Sequence, residues 1–144
     1  TTRKTVKQGV YPSHELLEHE LKALVNTLES LGVTVYRPKN LPQVDQIFAR
    51  DVGFVVHDIL VRSKMIEDRA KEWEGVKDLL QGVKSVTPPS DVLIEGGDVL
   101  IAGSKLYVGY SDDETISSYQ TARTNEKSLL WLQKILALHH KKPV

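Results

Sequence analysis

The sequence predicts an α/β fold built from a repeated hairpin–helix–strand unit, on three observations. Short β-branched runs come in pairs broken by two-residue turn signals. Gly53-Phe-Val-Val56 and Ile59-Leu-Val-Arg62 flank His57-Asp58, and the runs at 99–102 and 106–109 are broken by Gly103-Ser104. Leucines recur at helical spacing in the first and last quarters of the chain. Hydrophobic residues at 40% and charged residues at 26% of 144 residues are those of one folded domain.

The elements follow in order. Residues 1–10 are polar and basic without a period and read as a loop or arm. Ser13, after Tyr11-Pro12, is placed to cap a helix by accepting an amide that has no partner within the helix. Leu17, Leu21, Leu24, Leu28 and Leu31 then mark one helical face, and Gly32 stands where a left-handed C-cap favours glycine. Val33-Thr-Val-Tyr36 reads as a short strand stopped by Arg37-Pro38, and 41–49 as a loop or irregular strand. After the first hairpin, a second helix is predicted over 67–80 with Ala70, Trp73, Val76 or Lys77, and Leu80 inward. Gly82 ends it, and a strand follows at 83–86. Thr87-Pro-Pro-Ser90 is a turn, and 92–94 another β run before the second hairpin. A third helix opens near Thr124 as N-cap and runs to 138 with Leu129, Leu132 and Leu136 inward. Pro143-Val144 reads as the start of a further strand.

Organised this way, the chain is one partial domain. Residues 1–47 give the helix and strand of an incomplete module, 48–91 a second module, and 92–144 a third, truncated one. The pattern begins and ends inside the repeat, so a segment of a larger repeated architecture is expected.

Composition excludes several classes. Nineteen Lys+Arg balance nineteen Asp+Glu, without the basic excess of a nucleic-acid binder. No apolar run is long enough for a membrane span, and no basic start followed by an apolar stretch marks a secretion signal. A cytoplasmic location is expected. With no cysteine there is no disulfide, thiolate zinc site or cysteine nucleophile among these residues. His14, His19, His57 and His139-His140 lack metal-ligand spacing, so neither metal nor other cofactor is expected.

Three stretches place acids or arginine against apolar β runs. Ala49-Arg-Asp51 precedes Gly53-Phe-Val-Val56. A carboxylate there is costly unless paired, and either an Arg50–Asp51 salt bridge or a functional acid satisfies the pattern. Ile94-Glu-Gly-Gly-Asp-Val99 sets Glu95 and Asp98 around Gly96-Gly97, where glycine permits positive φ or close backbone approach. A glycine pair can also cradle phosphate, although the dinucleotide-binding and P-loop spacings are absent. Tyr119-Gln-Thr-Ala-Arg-Thr-Asn125 lies just before a helix, where exposed amides favour anions, and Arg123 there either makes a local salt bridge or forks onto a substrate carboxylate.

The three motifs in this order resemble the guanidino-group-modifying superfamily: arginine deiminases, dimethylarginine dimethylaminohydrolases and amidinotransferases. The resemblance covers essentially the whole chain and is nearest to bacterial amidinotransferase-family proteins. It implies a partial α/β propeller, the pentein fold of five ββαβ modules, of which about half is present. It implies that Asp51 holds the guanidinium of a small arginine-like substrate. Glu95 contacts that guanidinium or supports a catalytic histidine. Arg123, with Arg69, binds the substrate carboxylate. Arg50, Gly96, Gly97 and Asp98 shape the site, with Asp98 tying the double-glycine turn together.

A guanidinium is a planar cation with five donors, so carboxylates suit it. The superfamily attacks the guanidinium carbon with a cysteine thiolate, and a histidine serves as acid and base. This chain has no cysteine, and its histidines fall outside the family's context. The expected function is therefore the substrate-binding part of such an enzyme, inactive alone, that self-associates or joins the rest of the fold. Two alternatives stand beside it: a non-catalytic binding or regulatory module of the same fold, and an unrelated phosphate- or nucleotide-binding α/β domain.

Overall fold

The computed structural model describes residues 7–9, 11–44, 46–111 and 122–139. Thr1–Arg37 and Pro38–Val144 form two units. In the first, helix α1 (His14–Ser30) is capped by Ser13, whose Oγ accepts the Leu16 amide at 3.2 Å. Gly32, at φ +80°, closes it. The Gly32 amide donates to the Glu29 carbonyl at 2.9 Å and the Val33 amide to the Leu28 carbonyl at 3.0 Å. This paired return needs a left-handed residue, which glycine supplies without strain. No residue of α1 is buried, and Leu31 is 74% exposed. The run 33–36 is not a strand, contrary to expectation. Its β-branched residues favour an extended chain, but it has no ladder partner among the described residues.

In the second unit, β1 (Gly53–Val56) pairs antiparallel with β2 (Ile59–Arg62), and β2 pairs parallel with β3 (Ser85–Val86). Along β1, Phe54 and Val56 are buried and Val55 is exposed, whereas β2 buries Ile59, Leu60 and Val61 consecutively. A strand flanked on both edges and covered on both faces carries such an unbroken apolar run. His57 sits at φ +56° in the two-residue turn, as the turns that match strand twist require. A second hairpin, β4 (Val99–Ala102) with β5 (Lys105–Val108), forms a two-stranded sheet in which the cross-strand partners Leu100 and Tyr107 are both exposed. The core gathers Phe54, Val56, Val61, Ile94 and Val99 around Leu132 of the last helix, Lys127–His139. Each such side chain contributes about 1.5–3 kcal/mol by leaving water.

Three expectations for this second unit are corrected as well. The helix over 67–80 is instead a 3-10 stretch at Glu67–Glu72 followed by one α turn, α2 (Trp73–Val76), with Ala70 exposed. Glycine at 75 weakens a continuous helix by about 1 kcal/mol, and the 3-10 geometry aligns side chains three apart. The final helix, α3 (Lys127–His139), starts three residues after Thr124, because the Thr124 and Asn125 side chains bond elsewhere. Residues 92–94 make only an isolated bridge, Lys64 with Ile94, since the Asn125 side chain takes the Leu93 amide at 3.1 Å and the Asp91 carbonyl at 2.9 Å. The expected strand at 143–144 and residues 1–6 of the arm lie outside the described residues. No helix among the described residues is long and apolar enough to cross a membrane.

Candidate functional site

Two 3-10 turns build the site. Ala49–Val52 leads into β1, and Gly96–Asp98 leads into β4. They meet so closely that a methyl group on Gly96 would run into the Arg50 carbonyl oxygen and lie 3.0 Å from that of Gly53. One on Gly97 would run into the Asp51 carboxylate. Close approach, not positive φ, is therefore what the two glycines supply. The Gly96 amide donates to Ser63 Oγ at 3.0 Å, which fixes the turn against the end of β2.

Asp51 pairs with Arg69, not with its neighbour Arg50. Arg69 Nη1 donates to Asp51 Oδ2 at 2.6 Å and lies 3.6 Å from Glu95 Oε2. Its other edge forks onto Glu72, Nε to Oε1 at 2.6 Å and Nη2 to Oε2 at 2.8 Å. The Arg50 guanidinium turns away and donates to the Val99 carbonyl. The role expected of Arg69, assisting a substrate carboxylate, thus falls to a side chain whose Nε, Nη1 and Nη2 already serve carboxylates of the chain.

Arg123 Nη1 donates to Glu95 Oε2 at 3.1 Å, and its side chain is 32% exposed. Asp98 Oδ2 accepts from the Arg123 amide at 2.9 Å and from Thr124 Oγ1 at 2.7 Å. Thr124 Oγ1 in turn accepts the Glu95 amide at 3.1 Å. Asp98 thereby ties the double-glycine turn to the 122–125 segment. Residues 119–121 of the expected anion-binding stretch lie outside the described residues.

Glu95 is 4% exposed, and its Oε1 is buried with no hydrogen-bond partner among the described residues. Burial pushes its carboxyl above the ordinary value, with the Arg123 and Arg69 charges pulling it back. The Glu72 hydrogen bonds push the Arg69 guanidinium up, against its burial and with help from Asp51. Three carboxylates, Asp51, Glu72 and Glu95, so face two guanidiniums, Arg69 and Arg123. Three carboxylates against two guanidiniums leave one negative charge in excess, which can accept from a further planar cation and offers no surplus positive charge to a phosphate.

The structure brings Asp51, Glu95, Arg69 and Arg123 into one bonded cluster. Sequence reasoning missed Glu72, although an acid three residues after Arg69 on a short helix was a readable signal. It also missed Ser63 and gave Thr124 the wrong task. Ser63 carries no local signal, because its partner lies 33 residues away.

No family model matches the chain. Over 99 residues it is 39% identical to the uncharacterized protein YkgA of Bacillus subtilis (strain 168), a stretch covering 66% of this chain and 34% of that protein. It is similar in structure to SxtG, an amidinotransferase from Microseira wollei in the saxitoxin biosynthetic pathway. That match has a TM-score of 0.67 at 19% identity, covering 89% of this chain and 48% of SxtG. The chain therefore spans about a third of the curated relative and about half of the solved one. Its fold is amidinotransferase-like, a mixed α/β arrangement with small sheets.

Proposed function

We propose that the chain carries the substrate-gripping part of a guanidino-modifying enzyme, one that acts on an arginine-like substrate by amidino transfer or C–N hydrolysis. A single observation carries the reading: a guanidinium, that of Arg69, already lies between two carboxylates, 2.6 Å from Asp51 and 3.6 Å from Glu95. Glu95 Oε1 adds a buried acceptor without a partner among the described residues, which costs free energy until a donor reaches it. The amidinotransferase-like fold supports the same reading.

In this reading Asp51 and Glu95 receive the substrate N–H groups. Arg123 turns its remaining donors to the substrate carboxylate, and Arg69 holds the two acids in place. The chain is part of an α/β propeller, and its exposed apolar side chains are where a second copy or further modules pack. The thiolate that would attack the guanidinium carbon is not among these 144 residues, which contain no cysteine. The chain by itself is expected to release neither citrulline nor ammonia from L-arginine, and to transfer no amidino group. The phosphate alternative is disfavoured, because Asp51 abuts Gly97 and Ser63 occupies the Gly96 amide.

Calorimetric titration with L-arginine and with agmatine, which lacks the carboxylate, tests the reading. Asp51→Asn and Glu95→Gln should each weaken both ligands by roughly tenfold or more, the equivalent of one charge-assisted hydrogen bond. Arg123→Lys should weaken L-arginine and spare agmatine. A folded wild-type chain that binds neither ligand at millimolar concentration, or binding untouched by both acid substitutions, overturns it.

A further inference from the structure

We propose that Glu72 is the positioning residue of the guanidinium-gripping pair: its fork on Arg69 aims Arg69 Nη1 at Asp51 and Glu95 and so sets the separation of their carboxylates. The inference rests on the function proposed above and assigns a role to a residue outside the three motifs.

Glu72 is 2% exposed. Both of its oxygens are used on one partner, Oε1 on Arg69 Nε and Oε2 on Nη2. A nearly fully buried carboxylate is costly unless its charge and lone pairs are met, and here a single guanidinium meets them. That guanidinium is rigid and planar, so fixing its Nε/Nη2 edge also fixes the direction of Nη1. Nη1 is the atom that reaches Asp51 at 2.6 Å and Glu95 Oε2 at 3.6 Å. The 3-10 stretch Glu67–Glu72 supplies the geometry, since residues three apart stack on one side of such a helix. A lysine at 69 would keep the charge and lose the aim.

Two carboxylates brought together repel unless a cation stands between them. The charged groups facing Glu95 are Arg123 from the 122–125 segment, Arg69 from the Glu67–Glu72 stretch and Asp51 from the Ala49–Val52 turn. Arg69 alone among them touches both acids of the pair, and Glu72 holds two of its three nitrogens, Nε and Nη2, while the Phe48 ring lies 5.8 Å from the guanidinium carbon. Loosening the fork should therefore reach Asp51 and Glu95 without any contact between them and Glu72.

Glu72→Gln keeps the volume and one acceptor oxygen but cannot receive both N–H groups. The full chain is titrated with methylguanidinium, followed by amide NMR, as wild type, Glu72→Gln, Arg69→Gln and the double variant. Glu72→Gln should weaken binding roughly tenfold, the scale on which outer partners act at metal sites. The double variant should be no weaker than Arg69→Gln, because Glu72 acts through Arg69. The Glu95 carboxyl carbon should titrate at higher pH in Glu72→Gln than in wild type. Wild-type affinity in Glu72→Gln, or losses that simply add, overturns the proposal and leaves the guanidinium reading intact. Should wild type not bind methylguanidinium, that reading fails and the Glu95 midpoint decides: an upward move supports the positioning role, an unchanged midpoint overturns it. If Glu72→Gln does not fold, Arg69→Lys serves in its place, with weakened binding in support and wild-type affinity against.

Discussion

Asp51 and Asp98 occupy matching places ahead of the two hairpins. Each is followed by a buried valine, Val52 or Val99, where a 3-10 turn enters a hairpin. Their carboxylates do different work. Asp98 accepts a backbone amide and the hydroxyl of the fully buried Thr124, donors that have no need of a mobile cation. Asp51 meets the guanidinium of Arg69 at a half-buried position beside Glu95. One turn uses its acid to close the fold, and the other pairs its acid with a guanidinium. The same local pattern of turn, Asp and Val thus yields a carboxylate bonded to an amide and a hydroxyl or one paired with a guanidinium, according to which donors the distant segments bring.

Substitutions can break that contrast. The largest effect is expected for Asp98→Ala, which leaves the Arg123 amide and the buried Thr124 hydroxyl without their acceptor. It should lower unfolding free energy by about 3 kcal/mol in a denaturant titration. Gly96→Ala follows, at about 2 kcal/mol, because the added methyl meets the Arg50 carbonyl in a packed contact. Asp51→Asn should cost only about 1 kcal/mol, since Arg69 keeps its Glu72 fork, while binding of arginine-like ligands falls sharply. If Asp51→Asn instead unfolds the chain as readily as Asp98→Ala, the contrast is lost.

The smallest effect concerns pH. The folded-state value of Glu95 is raised above the ordinary 4.5, so the folded chain holds this proton more tightly than the unfolded chain. The Glu95 contribution to stability is then greatest below that ordinary value and declines as pH rises through the raised one. Denaturation midpoints of wild type and Glu95→Gln should therefore shift relative to each other across that interval, in favour of the variant as pH rises. A pH-independent difference would contradict the burial argument.

Local chemistry made much of this legible in advance. Ser13 caps α1 through its hydroxyl and Gly32 through its left-handed backbone, and both hairpins follow from short apolar runs around turn residues. The motifs holding Asp51, Glu95 and Arg123 announced themselves as polar groups against apolar strands, and the structure joins Asp51 to Glu95 through Arg69 and Arg123 to Glu95 directly. Long-range bonds stayed hidden. The strand expected at 92–94 yields to Asn125, whose side chain is bonded across more than 30 residues. The helix expected from 67 tightens into the turn that lets Glu72 grip Arg69. Helical spacing in 67–80 indicates which residues share a face, but not that two of them are bound into a charge cluster.

The central claim, that Asp51 and Glu95 together form a guanidinium site while Asp98 does not, is tested most directly by carboxyl-carbon NMR of the labelled chain during titration with methylguanidinium. Asp51 and Glu95 should shift along one saturating curve, with Asp98 unmoved and equal methylammonium producing no such curve. Contradiction would be a set of shifts that never saturate, or shifts in which Asp98 moves with Asp51.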